Sequence, residues 1–211
     1  AALQVFRLGL GQPAVNFPPL TAKLLYEKFT EHVEGDLVIY DPSSGWGGRI
    51  LGAMSSNRKI HYIGTDPNPD NYDPINRYEY VGDFYQEHCG NKFFDDNNTY
   101  EVHQHGSEDF DFGKYKGKLD FVFTSPPYFN REQYSQDENQ SFKKFSQYDD
   151  WRDNFLRPTL INCFNNLKND RWLAWNIADI KVGNDKYVPL EQDSIDILEE
   201  LGMEYKGKIK M

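Results

Sequence analysis

The sequence predicts an α/β fold, a mostly parallel sheet covered by helices on both faces. Two observations predict it. Short apolar runs of strand length alternate with segments of helical period, which is the pattern of strand–helix–strand units. The unusual residues (glycine clusters, isolated acids, consecutive prolines) sit just after those runs. Those positions are the carboxyl ends of the strands, where sheets of this class bind ligands.

The elements follow in order. Residues 1–19 read as loop, with Pro13, Pro18 and Pro19. "LTAKLLYEKFTEHV" (20–33) places Leu20, Leu24, Leu25 and Phe29 at a helical period. "DLVIYDP" is a buried strand stopped by Pro42, and "GRILGAMSS" a helix behind a glycine turn. "KIHYIGTDP" is a second strand, also stopped by a proline, and "PINRYEYVGDFYQEHC" a helix. "DDNNT" is a turn, "YEVHQHG" a third strand and "LDFVFTS" a fourth. "DDWRDNFLRPTLINCFNNL" is an amphipathic helix that contains a proline, and "RWLAWNIADI" a fifth strand. "LEQDSIDILEELG" is a helix closed by Gly202. "MEYKGKIKM" reads as a sixth strand. The polar stretch 130–150 is the expected mobile segment.

A chain of 211 residues suits one domain and is ample for a full core. An aromatic content of 16% argues against disorder. The formal net charge of -10 is usual for a soluble cytoplasmic protein and counts against this stretch alone gripping phosphate. Cys89 and Cys163 lie far apart and in no metal-like spacing, so free thiols in a reducing compartment are expected. No apolar run reaches membrane-spanning length, and no signal peptide is evident. The absence of an initiator Met and a stop just after an apparent strand suggest a piece of a longer protein.

"DPSSGWGGR" (41–49) follows the first strand, and Gly45, Gly47 and Gly48 permit a tight turn with close backbone approach to a ligand. The second strand ends on Asp66, nineteen residues beyond Gly47. An acid there accepts hydrogen bonds from both hydroxyls of a ribose. The phosphate-binding P-loop pattern is missing, and so is the dinucleotide fingerprint, because the third glycine falls too early. The Asp41 carboxylate would repel a pyrophosphate but suit a cationic amino-acid group, which favours S-adenosyl-L-methionine over a nicotinamide dinucleotide. Ser107 or Glu108, after the third strand, is a candidate for the adenine amino group, and Trp46 for packing over the cofactor. No metal site is expected: His103 and His105 alternate on one strand, but no third ligand accompanies them.

"LDFVFTSPPYF" (119–129) ends a buried strand on two prolines, which cannot continue a sheet. Such a loop can hold a planar exocyclic amine, whose lone pair is delocalised into its ring. Ser125 supplies a side-chain oxygen, and Pro126, followed by Pro127, a rigidly aimed carbonyl. Tyr128 and Phe129 are candidates to stack on the base. Positioning of this kind is entropic and electrostatic catalysis. Arg131, Lys143 and Lys144, interleaved with Tyr134, Phe142, Phe145 and Tyr148, are candidates for a nucleic-acid backbone.

"TSPPY", preceded by a strand and by "DPSSGWGG", resembles the S-adenosylmethionine-dependent DNA amino-methyltransferases, whose loop is (D/N/S)-P-P-(Y/F/W). "NFPPLTAKLLYEKF" (16–29) looks like the family's segment that closes over the methionine end of the cofactor, which makes Asn16, Phe17 and Pro18 contact candidates. The order of the three motifs is similar to the family's gamma arrangement, and the resemblance covers most of residues 14–205. It implies a Rossmann-like class I methyltransferase fold and a single catalytic domain over residues 1–211. It also implies double-stranded DNA as substrate, a flipped target base, and a cytoplasmic enzyme of bacterial, archaeal or phage origin. Three departures stand out. Ser43 replaces the usual Phe of the glycine turn. Ser125 replaces the acid common in adenine enzymes, which favours N4 of cytosine over N6 of adenine. The stretch ends before a target-recognition region, which a separate region or subunit is expected to supply. The competing readings are the same chemistry on RNA or a protein glutamine, and a non-catalytic paralogue that binds cofactor.

Overall fold

The computed structural model describes residues 16–88, 98–129, 144–182 and 186–209. The expected turn at 95–99 and mobile stretch at 130–150 lie wholly or largely outside those residues. So do Cys89, Arg131, Tyr134, Phe142 and Lys143.

Five strands form one parallel sheet in the order β3-β2-β1-β4-β5. They are β1 (Leu37–Asp41), β2 (Ile60–Thr65), β3 (Thr99–His103), β4 (Leu119–Thr124) and β5 (Leu167–Trp175). β4 is buried at all six positions, and β1 and β2 at all but one each, as a sheet covered on both faces requires. Alternate residues of β4 enter different cores. Phe121 and Phe123 join Ile39, Tyr62, Ala22 and Tyr26 on one face, while Val122 joins Tyr40, Ile63 and Cys163 on the other.

The first face is covered by α1 (Pro19–Phe29), α2 (Gly48–Met54) and α3 (Arg77–His88). The proline that opens α1 costs nothing there, because the first amide of a helix has no intrahelical partner. The second face is covered by α5 (Arg157–Asn166), which runs on from the short α4 (Tyr148–Trp151) through a π turn, Arg152–Leu156. Pro158 offers no amide to the preceding turn, and the wide turn just before it absorbs the defect in one continuous segment. A third cluster packs Trp151, Phe155 and Leu160 against α6 (Leu190–Glu200) and the hairpin β6 (Ile180–Val182) and β7 (Lys186–Val188).

Two elements differ from expectation. The fifth strand begins earlier, at Leu167, and is irregular: Leu119 pairs with Leu167 but Phe121 with Trp172, and Asp170 sits at φ 56. The buried Asp120 carboxylate stabilises this irregularity by accepting from Lys168 Nζ at 2.8 Å, Arg171 Nε at 3.4 Å and the Val38 amide at 3.0 Å. Residues 203–209 form no strand. Alternating apolar residues are not enough there, because the segment has no ladder partner and Gly207, at φ 117, breaks the extended path.

Strand order reverses between β1 and β4. That switch point leaves a crevice at the carboxyl ends, where the connections leave in opposite directions.

Candidate active site

A cavity of about 500 Å³ occupies that crevice, and the segment after each of the five strands reaches its wall. Ser43, Gly45 and Trp46 follow β1, Asp66 and Asn68 follow β2, and Ser107 and Glu108 follow β3. Ser125 and Pro127 follow β4, and Asn176 follows β5. Asn16, Phe17 and Pro18 close one side, and Phe155 of the π turn another.

The glycine turn takes the shape that its sequence allows. Gly45 and Gly47 both adopt positive φ, at 59° and 82°, a region that disfavours a Cβ. Its carbonyl at Gly45 accepts from Tyr78 Oη at 2.5 Å and Asn71 Nδ2 at 3.3 Å. Gly47 shapes the turn without reaching the cavity. The Gly48 amide donates to Asn16 Oδ1 at 3.0 Å, and Asn16 Nδ2 donates to the Trp46 carbonyl at 3.4 Å, which pins residues 16–18 against the turn.

Asp66 faces the cavity while accepting from two backbone amides, Gly45 N at 2.9 Å and Asn68 N at 2.8 Å. It is 8% exposed, and burial pushes its carboxyl up to about 6, against the pull of those two amides. Each oxygen keeps a further lone pair, so the group can take two hydroxyl donors at once.

Asp41 departs from its expected role. It is fully buried and stands beneath the cavity rather than in its wall. Its Oδ1 accepts from Thr124 Oγ1 at 2.7 Å and the Ser43 amide at 3.2 Å. Its Oδ2 accepts from Tyr62 Oη and Arg49 Nε, both at 2.6 Å. Arg49, the second residue of α2, therefore covers the acid, and it is Arg49 rather than Asp41 that lines the cavity.

Of the adenine candidates, Ser107 shares its hydroxyl with Thr159 Oγ1 at 3.1 Å. Glu108 lines the wall and accepts from Lys144 Nζ at 2.9 Å, so Lys144 is an ion-pair partner here. Trp46 is 43% exposed at the cavity mouth. His105 lies past the end of β3 and does not share that strand with His103. Among the described residues no group of three His, Cys, Asp or Glu side chains is placed to hold a metal ion.

The proline loop divides. Ser125 and Pro127 line the cavity; Pro126 is buried and outside the wall. Tyr128 also stands outside it: its phenol donates to the Asn176 carbonyl at 3.0 Å, and its ring packs on the cluster around Trp151. Phe129 is buried in that same cluster, 5.9 Å from Trp151. Neither ring is placed to stack on a ligand in the cavity, because both complete a core that the sequence does not reveal. The aromatic ring that lines this end is Phe155. Sequence reasoning missed it, because only the π turn brings it there. It also missed Asn176, although that residue follows the fifth strand directly and the rule of carboxyl ends points to it.

No family model matches the chain, and no curated protein sequence does. Solved structures do. Phosphoethanolamine N-methyltransferase 2 of Haemonchus contortus, in complex with S-adenosyl-L-methionine, superposes with a TM-score of 0.52 at 13% identity, over 86% of this chain and 36% of that one. The [4+2]-cyclase SpnF superposes with a TM-score of 0.50 at 10% identity, over 85% of this chain and 56% of that one. The chain thus spans between about a third and just over half of the length of these structures. The likeness establishes the fold, the Rossmann-like α/β fold of class I methyltransferases.

Proposed function

We propose that this chain is an S-adenosyl-L-methionine-dependent methyltransferase that acts on an exocyclic amine, with a nucleobase of double-stranded DNA as substrate and N4 of cytosine favoured over N6 of adenine. One observation carries the reading: Asp66 and Ser125, on either side of the switch point, face the same cavity. The residues fit such a cofactor, because the buried Asp66 carboxylate with lone pairs to spare suits a ribose diol. When bound, S-adenosyl-L-methionine supplies an electrophilic methyl group.

The protein's own part is to bind, orient and exclude water. Ser125 Oγ, held by Asn176 Nδ2 at 3.1 Å, accepts a hydrogen of the target amine and draws the nitrogen toward pyramidal geometry. Phe155 offers the flat apolar face for the ring that carries the amine. This division of labour needs no covalent nucleophile. Cys163, the free cysteine among the described residues, is buried in the core, and burial pushes its thiol up.

A second reading is the same transfer to an amine or amide on RNA or on a protein glutamine. The observation that favours it is the placement of Tyr128 outside the wall, because the family's loop aromatic is the expected stacking platform for a flipped base.

The test is to express the complete reading frame in cells lacking DNA methylation and to analyse digested DNA by nucleoside mass spectrometry. N4-methylcytosine is the expected product. N6-methyladenine would keep the mechanism and overturn the base. Neither product, with cofactor binding intact by calorimetry, would move the substrate to RNA or protein.

A further inference from the structure

We infer that Arg49 is a specificity-determining residue that binds the carboxylate of the ligand's amino-acid portion, so that the site selects carboxylate-bearing adenosyl ligands over their decarboxylated counterparts. The inference rests on the adenosyl-cofactor reading above.

Arg49 is 5% exposed, yet it lines the cavity beside Pro42, Ser43 and Phe17. A guanidinium carries five N–H donors. Two are engaged, Nε on Asp41 Oδ2 at 2.6 Å and one Nη2 hydrogen on the Ser43 carbonyl. The other three have no partner among the described residues. A cation with N–H donors to spare at a cavity wall calls for an acceptor, and the acceptor that suits a planar fork is a carboxylate. Asp41 cannot supply more, since each of its oxygens already accepts two hydrogen bonds. It holds the guanidinium through Nε, and Arg49 lines the cavity with donors to spare. Phe17, whose ring lies 5.8 Å from the guanidinium carbon, screens the pair from solvent.

The consequence is a reversal of polarity at this end of the cavity. The sequence places an acid there to meet a ligand cation; the fold presents a cation to meet a ligand anion. Asp66, bonded to the Gly45 amide, lines the same cavity and is the group assigned to the adenosyl portion. The cavity wall therefore offers groups of opposite charge, Asp66 and Arg49.

The experiment compares, by calorimetry on the unmodified protein, S-adenosyl-L-homocysteine with S-adenosyl-3-thiopropylamine, which differs only in lacking the carboxylate. Roughly 10- to 100-fold tighter binding of the carboxylate ligand is expected, the range for a hydrogen bond to a charged group. Equal affinities would overturn the role of Arg49 while leaving the adenosyl reading standing. Binding of neither compound would overturn both. The same pair is then titrated into Arg49→Lys, which keeps the charge opposite Asp41 but loses the fork. A preference that shrinks supports the assignment; a preference unchanged in a folded variant overturns it. In the unmodified protein, ¹⁵N spectra of the guanidinium read the contact without substitution. The Arg49 Nη signals should sharpen with the homocysteine ligand and not with the amine, and identical spectra would overturn the proposal.

Discussion

Asn176 Nδ2 donates to Ser125 Oγ at 3.1 Å, joining the first residues beyond two neighbouring strands. The main chain of Asn176 is held as firmly. Its amide donates to the Thr124 carbonyl at 2.9 Å, and its carbonyl accepts from Tyr128 Oη at 3.0 Å. Three bonds therefore fasten the end of β4 and the proline loop to Asn176, and Ser125 stands in the cavity with its hydroxyl held.

Removing the side-chain donor should free Ser125 without disturbing the cofactor end. Asn176→Ala is expected to lower kcat by roughly tenfold to a hundredfold, the scale of a small misplacement of a reacting group. Cofactor affinity should stay within about twofold, because Asp66 is untouched. Steady-state kinetics alongside calorimetry checks this. A fall in affinity as large as the fall in rate would place Asn176 at the cofactor instead.

Asp66 sets two pH dependences of opposite sign. Its carboxyl is raised from 3.8 to about 6 by burial, so the fold favours the protonated form. The stability that this group contributes is full below the ordinary value of 3.8 and is lost as pH rises through about 6. Ribose hydroxyls donate to the ionised carboxylate, so affinity for S-adenosyl-L-homocysteine should fall as pH drops through about 6, by at most about tenfold per unit. Calorimetry between pH 5 and pH 8 reads the second effect, and Asp66→Asn should flatten it. An affinity level across that range in the unmodified protein would take Asp66 away from the ribose.

Gly48 tests the seam between the glycine turn and residues 16–18. A Cβ at Gly48 would lie 2.1 Å from the Phe17 carbonyl oxygen and 2.5 Å from Asn16 Oδ1, so backbone has to move. Gly48→Ala should cost about 1–3 kcal/mol in urea unfolding, as overpacking of a tight contact does. It should also weaken cofactor binding, because Asn16, Phe17 and Pro18 form one wall of the cavity. Wild-type affinity in this variant would show that the wall is dispensable.

The sequence carried most of this fold because its signals are local. The buried run 119–124, the proline stops and the glycine turn each report on a few consecutive residues, and each took the predicted form. The same holds for Asp66 and Ser125, which sit at strand ends and reach the cavity for that reason alone. What failed depended on partners distant in sequence. Asp41 reads as a ligand contact until Arg49 folds back over it. Tyr128 and Phe129 read as stacking residues until Trp151, Tyr148 and the Asn176 carbonyl claim them. Residues 203–209 have a strand's alternation but no strand beside them. Phe155 needed a π turn, which no periodicity in the sequence announces.

The Asp41–Arg49 pair is the last test, and it separates structure from ligand binding. Both side chains are almost wholly buried, at 0% and 6% exposure. Arg49→Met would leave Asp41 with a buried charge and only neutral donors, Thr124, Tyr62 and the Ser43 amide. Breaking one side of such a pair costs about 3–5 kcal/mol. Asp41→Asn combined with Arg49→Met removes both charges and keeps a polar group for Thr124 and Tyr62, so most of that loss should return. The double-mutant cycle, read by urea unfolding, is therefore expected to show strong coupling between the two sites. Additive losses would mean that the pair contributes little through its charges and that the neutral hydrogen bonds hold Asp41 by themselves. In the restored double variant, affinity for S-adenosyl-L-homocysteine should remain low. Stability can be recovered by removing the acid, but the guanidinium that faces the cavity cannot.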